Sequence, residues 1–282
     1  SNIYYVNPSS GSDTSGNGSM SRPFETITHA VTQFSEPEDE DNTVYLMGNI
    51  TGKETPDILG CVSILPSGNL TCTIEGLGTN KTITDDDGDD CRGVYLYASN
   101  TSNTVNITLR NLTITGCSET REGGGIYFNA VNPGSSLTLE DCIVSENHVR
   151  NSTDEDVEGG GIFFRASILT LRGSEIRQNT IETSNHNPRG AGIYAFGVGS
   201  DPSVILESST TRQSNIQQNI GYASSPAFGG GLYVTMATLY LRDSTTIVGN
   251  LANSFSSGNP AGNGGGIFLQ NASGRMEDDV II

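Results

Sequence analysis

The chain has 282 residues, 35 of them Gly, with 5 Cys, no Trp and a formal net charge of −18. A surface that acidic repels nucleic acid and anionic membrane, so neither is an expected partner, and no apolar run is long enough for a membrane span. The length suffices for one packed core, and dense alternating strands rich in β-branched residues argue against disorder.

Taken from the N-terminus, residues 1–42 read as a cap and a first strand. Ile3–Val6 is a short strand that runs into a Gly- and Ser-rich loop. Ser21 is placed to cap a helix with Pro23 in its first turn, and Phe24, Ile27, Val31 and Phe34 give that helix one apolar face. EPEDEDN at 36–42 is an acidic, solvated loop. Residues 43–90 hold irregular strands: TVYLMGNI, CVSIL, LTCTI and KTIT. GVYLY at 93–97 then opens a regular stretch, 91–282, in which Cys91 stands where later units carry their first glycine.

A hexad recurs through that stretch: GGGIYF at 123–128, GGGIFF at 159–164, GAGIYA at 190–195, GGGLYV at 229–234 and GGGIFL at 264–269. Its fourth positions, Ile126, Ile162, Ile193, Leu232 and Ile267, fall about 31 to 39 residues apart. Two further elements travel with the hexad in fixed order. One is an alternating strand such as ITLRNLTI (107–114), LTLEDCIV (137–144), LTLRGSEI (169–176), VILES (204–208) or LYLRDS (239–244). The other is an apolar residue three places before Asn147, Asn179, Asn219 or Asn250, with Cys117 in the asparagine's place in the first unit.

Three short strands per repeat, separated by variable connections, predict an all-β chain. The expected fold is a single right-handed parallel β-helix of about eight three-sided coils, stacked about 4.8 Å apart, with a short N-terminal capping helix. Alternation places Ile126 and Phe128 inward and Tyr127 outward. The inward set includes Val94, Leu109, Leu139, Ile162, Leu171, Ile193, Leu232, Leu241 and Ile267. The glycine runs suit sharp corners, and the asparagines suit a left-handed corner and a buried amide ladder between coils. β-sandwich strands with glycine turns explain neither the order nor the interval.

The alternation of GGG[I/L] with [I/V]xxN over residues 90–282 resembles the repeats of the chlamydial polymorphic outer-membrane proteins. The opening residues are similar to those of pectate-lyase-like extracellular β-helix proteins. These resemblances imply a β-helix at a cell surface, and the barrel that follows the repeats in the bacterial family has no counterpart in this sequence.

Candidate sites are few. Asp85, Asp87 and Asp89 alternate within TDDDGDDC and offer oxygens to calcium, although the glycine is misplaced for an EF-hand; the alternative is a solvated acidic turn. No other cofactor is expected. Nine sequons, at Asn17, Asn49, Asn69, Asn80, Asn100, Asn106, Asn111, Asn151 and Asn271, predict a glycosylated, extracellular chain. The expected disulfides are Cys61–Cys72 and Cys91–Cys117, each joining neighbouring coils, with Cys142 left over.

Arg110, Arg172 and Arg242 recur beside the LxL strand and are expected to pair with Glu140 or Glu207. His29, His148 and His186 lie in the helix and the loops, and no acid–base set for glycan cleavage stands out. The expectation is therefore a non-catalytic structural or adhesive surface protein, with a carbohydrate-binding or polysaccharide-processing β-helix enzyme as the alternative. The loops at 148–158, 180–189, 220–228 and 251–263 leave one corner, as a recognition surface or as neutral insertions. MEDDVII aligns with LTLEDCIV, so the last coil is expected to be completed by further sequence or by self-association with another subunit or surface protein.

Overall fold

The computed structural model describes residues 2–34, 42–86, 88, 90–151, 155–184, 186–254, 262–277 and 279–282. Successive apolar alternations fold into strands that pair in parallel with the equivalent strand of the next repeat, giving a β-solenoid of about seven turns rather than eight. Two seven-stranded sheets count those turns, and the segment after Gln270 adds only the strand Ser273–Met276 and a bridge at Ile281.

A nine-stranded sheet gathers Ile3–Val6, Asn42–Leu46, Leu70–Gly76 and all the LxL strands, with Leu109, Leu139, Leu171, Leu206 and Leu241 in one register. One seven-stranded sheet stacks the ends of the hexads, with Ile126, Ile162, Ile193, Leu232 and Ile267 in register. The other carries the short strands that lead into the asparagines. Inward side chains fill the space between these sheets, and of the expected inward set only Ile267, in the final turn, is half-buried.

The corners explain the glycines. Gly123, Gly159, Gly190, Gly229 and Gly264 have φ of 61–65°, a conformation that costs glycine nothing. The left-handed residue at the asparagine corner is not the asparagine. It is the residue before it, at φ of 55–57° in Glu146, Gln178 and Gln218 and at 65° in Gly249. Placing the turn there leaves each asparagine side chain free to point into the core.

The variable loops also hold order. His148–Asn151, Thr180–Thr183, Ile220–Ala223 and Leu251–Ser254 form a parallel sheet that begins at Ser118–Glu119, and Val157–Glu158, Pro188–Arg189, Ala227–Phe228 and Gly262–Asn263 form another. Val149, Val157, Ile181 and Ala191 make a small core of their own beneath them. These segments are folded extensions of the coil.

The helix is shorter than the sequence suggests. It runs from Ile27 to Thr32 and is capped not by Ser21 but by Thr26, whose side chain accepts from the His29 N–H. Glu54, from the coil beyond, accepts from Ile27 N at 2.6 Å and from Thr28 N at 2.9 Å, and its burial pushes its pKa up to about 7. Ile27, Ala30 and Val31 are buried against the first strands. No described helix is long and apolar enough to cross a membrane.

Candidate functional site

Equivalent side chains one turn apart lie at strand spacing, so each sequence column becomes a line of contacts along the axis. Asn147, Asn179, Asn219 and Asn250 form one such line. The Nδ2 of each of the first three donates to the next Oδ1, at 3.0, 3.0 and 2.8 Å. The same Nδ2 groups, and that of Asn250, donate to the carbonyls of Ile114, Val144, Ile176 and Ile216 in the preceding turn. Cys117 ends the line by donating its backbone N–H to Asn147 Oδ1. The first three amides are fully buried.

A second buried line escaped the sequence reading because its residue type changes. Cys142, Ser174, Ser214 and Thr245 donate to the carbonyls of Leu109, Leu139, Leu171 and Leu206. Cys142, left over in the pairing scheme, therefore occupies a place that serine or threonine takes elsewhere.

Outward, the nine-stranded sheet carries an alternating charge line: Glu75, Arg110, Glu140, Arg172, Glu207, Arg242 and Glu277. Adjacent members are in register or joined by ion pairs of 2.8–4.0 Å. The expected arginine pairings with Glu140 and Glu207 are part of that line.

The outward face of the hexad sheet is aromatic. Tyr95, Tyr127, Phe163, Tyr194, Tyr233 and Phe268 stack with centroids 4.9–5.4 Å apart and planes within 21° of parallel. Phe163, Tyr194 and Tyr233 are buried although they point away from the main core. The residues preceding each glycine run lie over them, with Arg92 above Tyr95 and Tyr127 and Arg189 above Tyr233.

This covering column departs from simple repetition in its charge. It reads Glu122, Glu158, Arg189, Phe228, Asn263, so two carboxyls stand on adjacent turns where the charge line alternates. Glu158 pairs with Arg189 at 2.8 Å, but the same guanidinium also holds Asp156 at 2.8 Å. Burial, only partly offset by that shared cation, pushes the Glu158 pKa up to about 7. Burial also raises Glu122, against the pull of Arg121 and Arg92. Glu158 can therefore hold a proton near neutrality, beside a second carboxyl whose pKa is also raised. The pair's trace in the sequence is slight: a glutamate precedes two of the glycine runs, at Glu122 and Glu158, and the column then changes to Arg189, Phe228 and Asn263.

The remaining expected sites are dispersed. Asp85 Oδ2 accepts from the Cys91 N–H at 3.2 Å and Asp86 contacts Thr84, while Asp87 and Asp89 lie outside the described residues. Among the described residues, no group of three or more His, Cys, Asp or Glu is placed to hold a metal ion. Asn17, Asn49, Asn69, Asn80, Asn100 and Asn271 are exposed, and Asn106 and Asn111 are half-buried. Asn151 lies within the strand His148–Asn151.

The expected disulfides need correction. Cys61 and Cys72 belong to different sheets, and all five thiols are free and buried. The Cys61 sulfur lies 3.0 Å from that of Cys91. Cys91 is therefore drawn to the turn before it, where the pairing Cys91–Cys117 would have joined it to the turn after. Leu239, Leu241, Ile267, Leu269, Met276 and Ile282 line an apolar recess at the last strands. Comparison with family models, curated proteins and solved structures finds no match.

Proposed function

We propose that this chain is an extracellular, glycosylated, non-catalytic β-solenoid that serves as a structural or adhesive surface component. The observation that carries this reading is that its chemistry-bearing columns make their contacts along the axis. Amides meet amides, rings meet rings, and each arginine of the charge line sits between glutamates. Such contacts stiffen a rod, whereas a catalytic group needs free valence toward a ligand.

In this reading the solenoid is right-handed, its three long sheets are the three sides of each coil, and the helix Ile27–Thr32 caps its first turns. Exposed sequon asparagines supply the glycan sites, and the likeness to polymorphic outer-membrane repeats extends to a surface setting. The apolar recess is the face offered for self-association.

A second reading, a glycan-binding or glycan-processing solenoid, is favoured by the Glu122–Glu158 pair with its raised pKa values. One assay separates the two: the purified chain and its Glu158→Gln variant are incubated with a panel of neutral and acidic polysaccharides. The scaffold reading expects no new reducing ends or unsaturated products from either protein. Turnover by the parent that is lost in the variant would replace it with the enzyme reading.

A further inference from the structure

Three thiols break the repeat at the junction of the irregular and regular turns. Cys61, Cys91 and Cys117 are exposed by 0%, 1% and 1%, respectively. Cys61 lies in the strand Gly60–Ile64, and Cys91 immediately precedes Arg92–Tyr97, the strand that pairs with it in the next turn through Gly60↔Arg92. Their sulfurs are 3.0 Å apart. Cys117 comes from the following turn, and its thiol is near enough to Cys61 to raise that thiol's pKa. Its sulfur lies 3.2 Å from where a Cβ on Gly93 would sit, in a crowded spot where Ile114 and the Gly125 carbonyl come closer still.

The other two cysteines are held elsewhere. Cys142 fills its place in the hydroxyl line, and Cys72 lies in the nine-stranded sheet between Asn42 and Ile107.

We propose that Cys61 and Cys91 are a disulfide-forming pair that ties the strand Gly60–Ile64 to the turn after it, with a small-molecule or protein disulfide as oxidant. The sulfurs are already closer than two unbonded thiols normally sit, and about 1 Å of travel brings them to bonding distance. The thiolate of one cysteine attacks the oxidant, releasing one thiol and leaving a mixed disulfide. The thiolate of the second cysteine then displaces the other half as a second thiol. Two protein S–H bonds are lost and one S–S bond forms, while the oxidant's S–S bond is reduced and takes up both protons.

The surroundings set when this happens. Both thiols are pushed well above their ordinary pKa, Cys61 chiefly by the Cys117 thiol and Cys91 chiefly by Cys61 and by burial. Thiolate is therefore scarce in the closed turn, so exchange runs while the turns are still opening and closing. Once formed, the bond is shielded from reductant. Cys117 is the bystander, held by its backbone N–H to Asn147.

The test uses the full chain, unfolded in urea with oxidised and reduced glutathione and returned to buffer. The soluble, folded fraction is then denatured, alkylated and digested without reductant for mass mapping. The expected product links the Cys61 and Cys91 peptides, about 2 Da lighter than the two thiol forms, and leaves Cys72, Cys117 and Cys142 alkylated. Cys117→Ser is expected to give the same link, and dithiothreitol is expected to open it only after denaturant is added. Alkylation of all five cysteines, or a link through Cys72, Cys117 or Cys142, would overturn the inference. The mapping is independent of the scaffold reading, since the bond is counted by mass whatever the chain does.

Discussion

At the scale of single residues, the hexad's third glycine is explained by the asparagine beside it. A Cβ on Gly161 would lie 2.8 Å from Asn179 Nδ2 and 2.7 Å from the Gly192 carbonyl oxygen. Gly125, Gly192 and Gly231 meet Asn147, Asn219 and Asn250 in the same way. The amide line and the glycine column are one device, which is why both recur together. Asn179→Ala leaves the Val144 carbonyl and the Asn147 amide without their partners, at about 1–3 kcal/mol. Gly161→Ala is expected to cost a similar amount, on the order of 1–3 kcal/mol, by overpacking. Urea unfolding of both variants checks this, and if neither lowered the midpoint the line would carry no stability.

Glu158 supplies a pH dependence at the same scale. Its folded pKa of about 7 stands above the ordinary 4.5, because burial outweighs its share of Arg189. The folded chain therefore holds this proton more tightly than the unfolded chain. The resulting stability is present in full below the ordinary value and is lost as pH rises through about 7. Glu54 acts in the same direction. Stability is expected to fall between pH 5 and pH 8 by at most about 3 kcal/mol for Glu158. Glu158→Gln, which keeps an oxygen for Arg189, is expected to flatten that slope. Urea midpoints of parent and variant across the range decide it.

Among elements, the alternating charge line on the nine-stranded sheet is exposed enough that solvent limits its worth. The Arg172 side chain is 42% exposed, and exposed pairs contribute about 0.2–1 kcal/mol. Arg172→Gln is expected to cost less than about 1 kcal/mol. Arg172→Glu sets like charges side by side with Glu140 and Glu207 and is expected to cost more. High salt should narrow the gap between the two variants, and equal midpoints at low salt would show that alternation has no energetic role.

These elements also show what the sequence carries and what it hides. Ile126, Asn147 and Gly161 were legible because each column repeats one residue type, so the interval itself reveals the stack. The line through Cys142, Ser174, Ser214 and Thr245 was hidden because thiol and hydroxyl serve the same carbonyl while looking unrelated. The sheets through His148–Asn151 and Val157–Glu158 were hidden because their connections vary in length, which masks a fixed register. The helix start moved from Ser21 to Thr26 because Asp13 and Glu54, both distant in sequence, hold the backbone there. The Cys61–Cys91 contact depends on how an irregular turn closes, which spacing alone does not encode.

For the whole molecule, strand pairing joins each turn only to the turns beside it, with Ser209 reaching Asp141 two turns back as a side-chain exception, so stability is close to a sum over neighbours and a turn is a removable unit. Deleting residues 141–172 joins Glu140 to Gly173 in place of Arg172, its partner in register, so the chain path is preserved. Asn179 then takes the place of Asn147 beside Cys117, and Ile193 takes that of Ile162 above Ile126. Every buried column closes over the gap with its own kind. The surface line does not, because Glu140 is brought against Glu207. The shortened chain is therefore expected to fold and melt cooperatively, at a lower temperature than the parent, and to gain stability as salt rises from about 0.05 M to about 0.5 M and screens that contact. Circular dichroism melts at the two salt concentrations test both parts. A shortened chain that is unfolded at either salt would show that the turns are not interchangeable units, and one whose melting ignores salt would show that the charge line does not sense its neighbours.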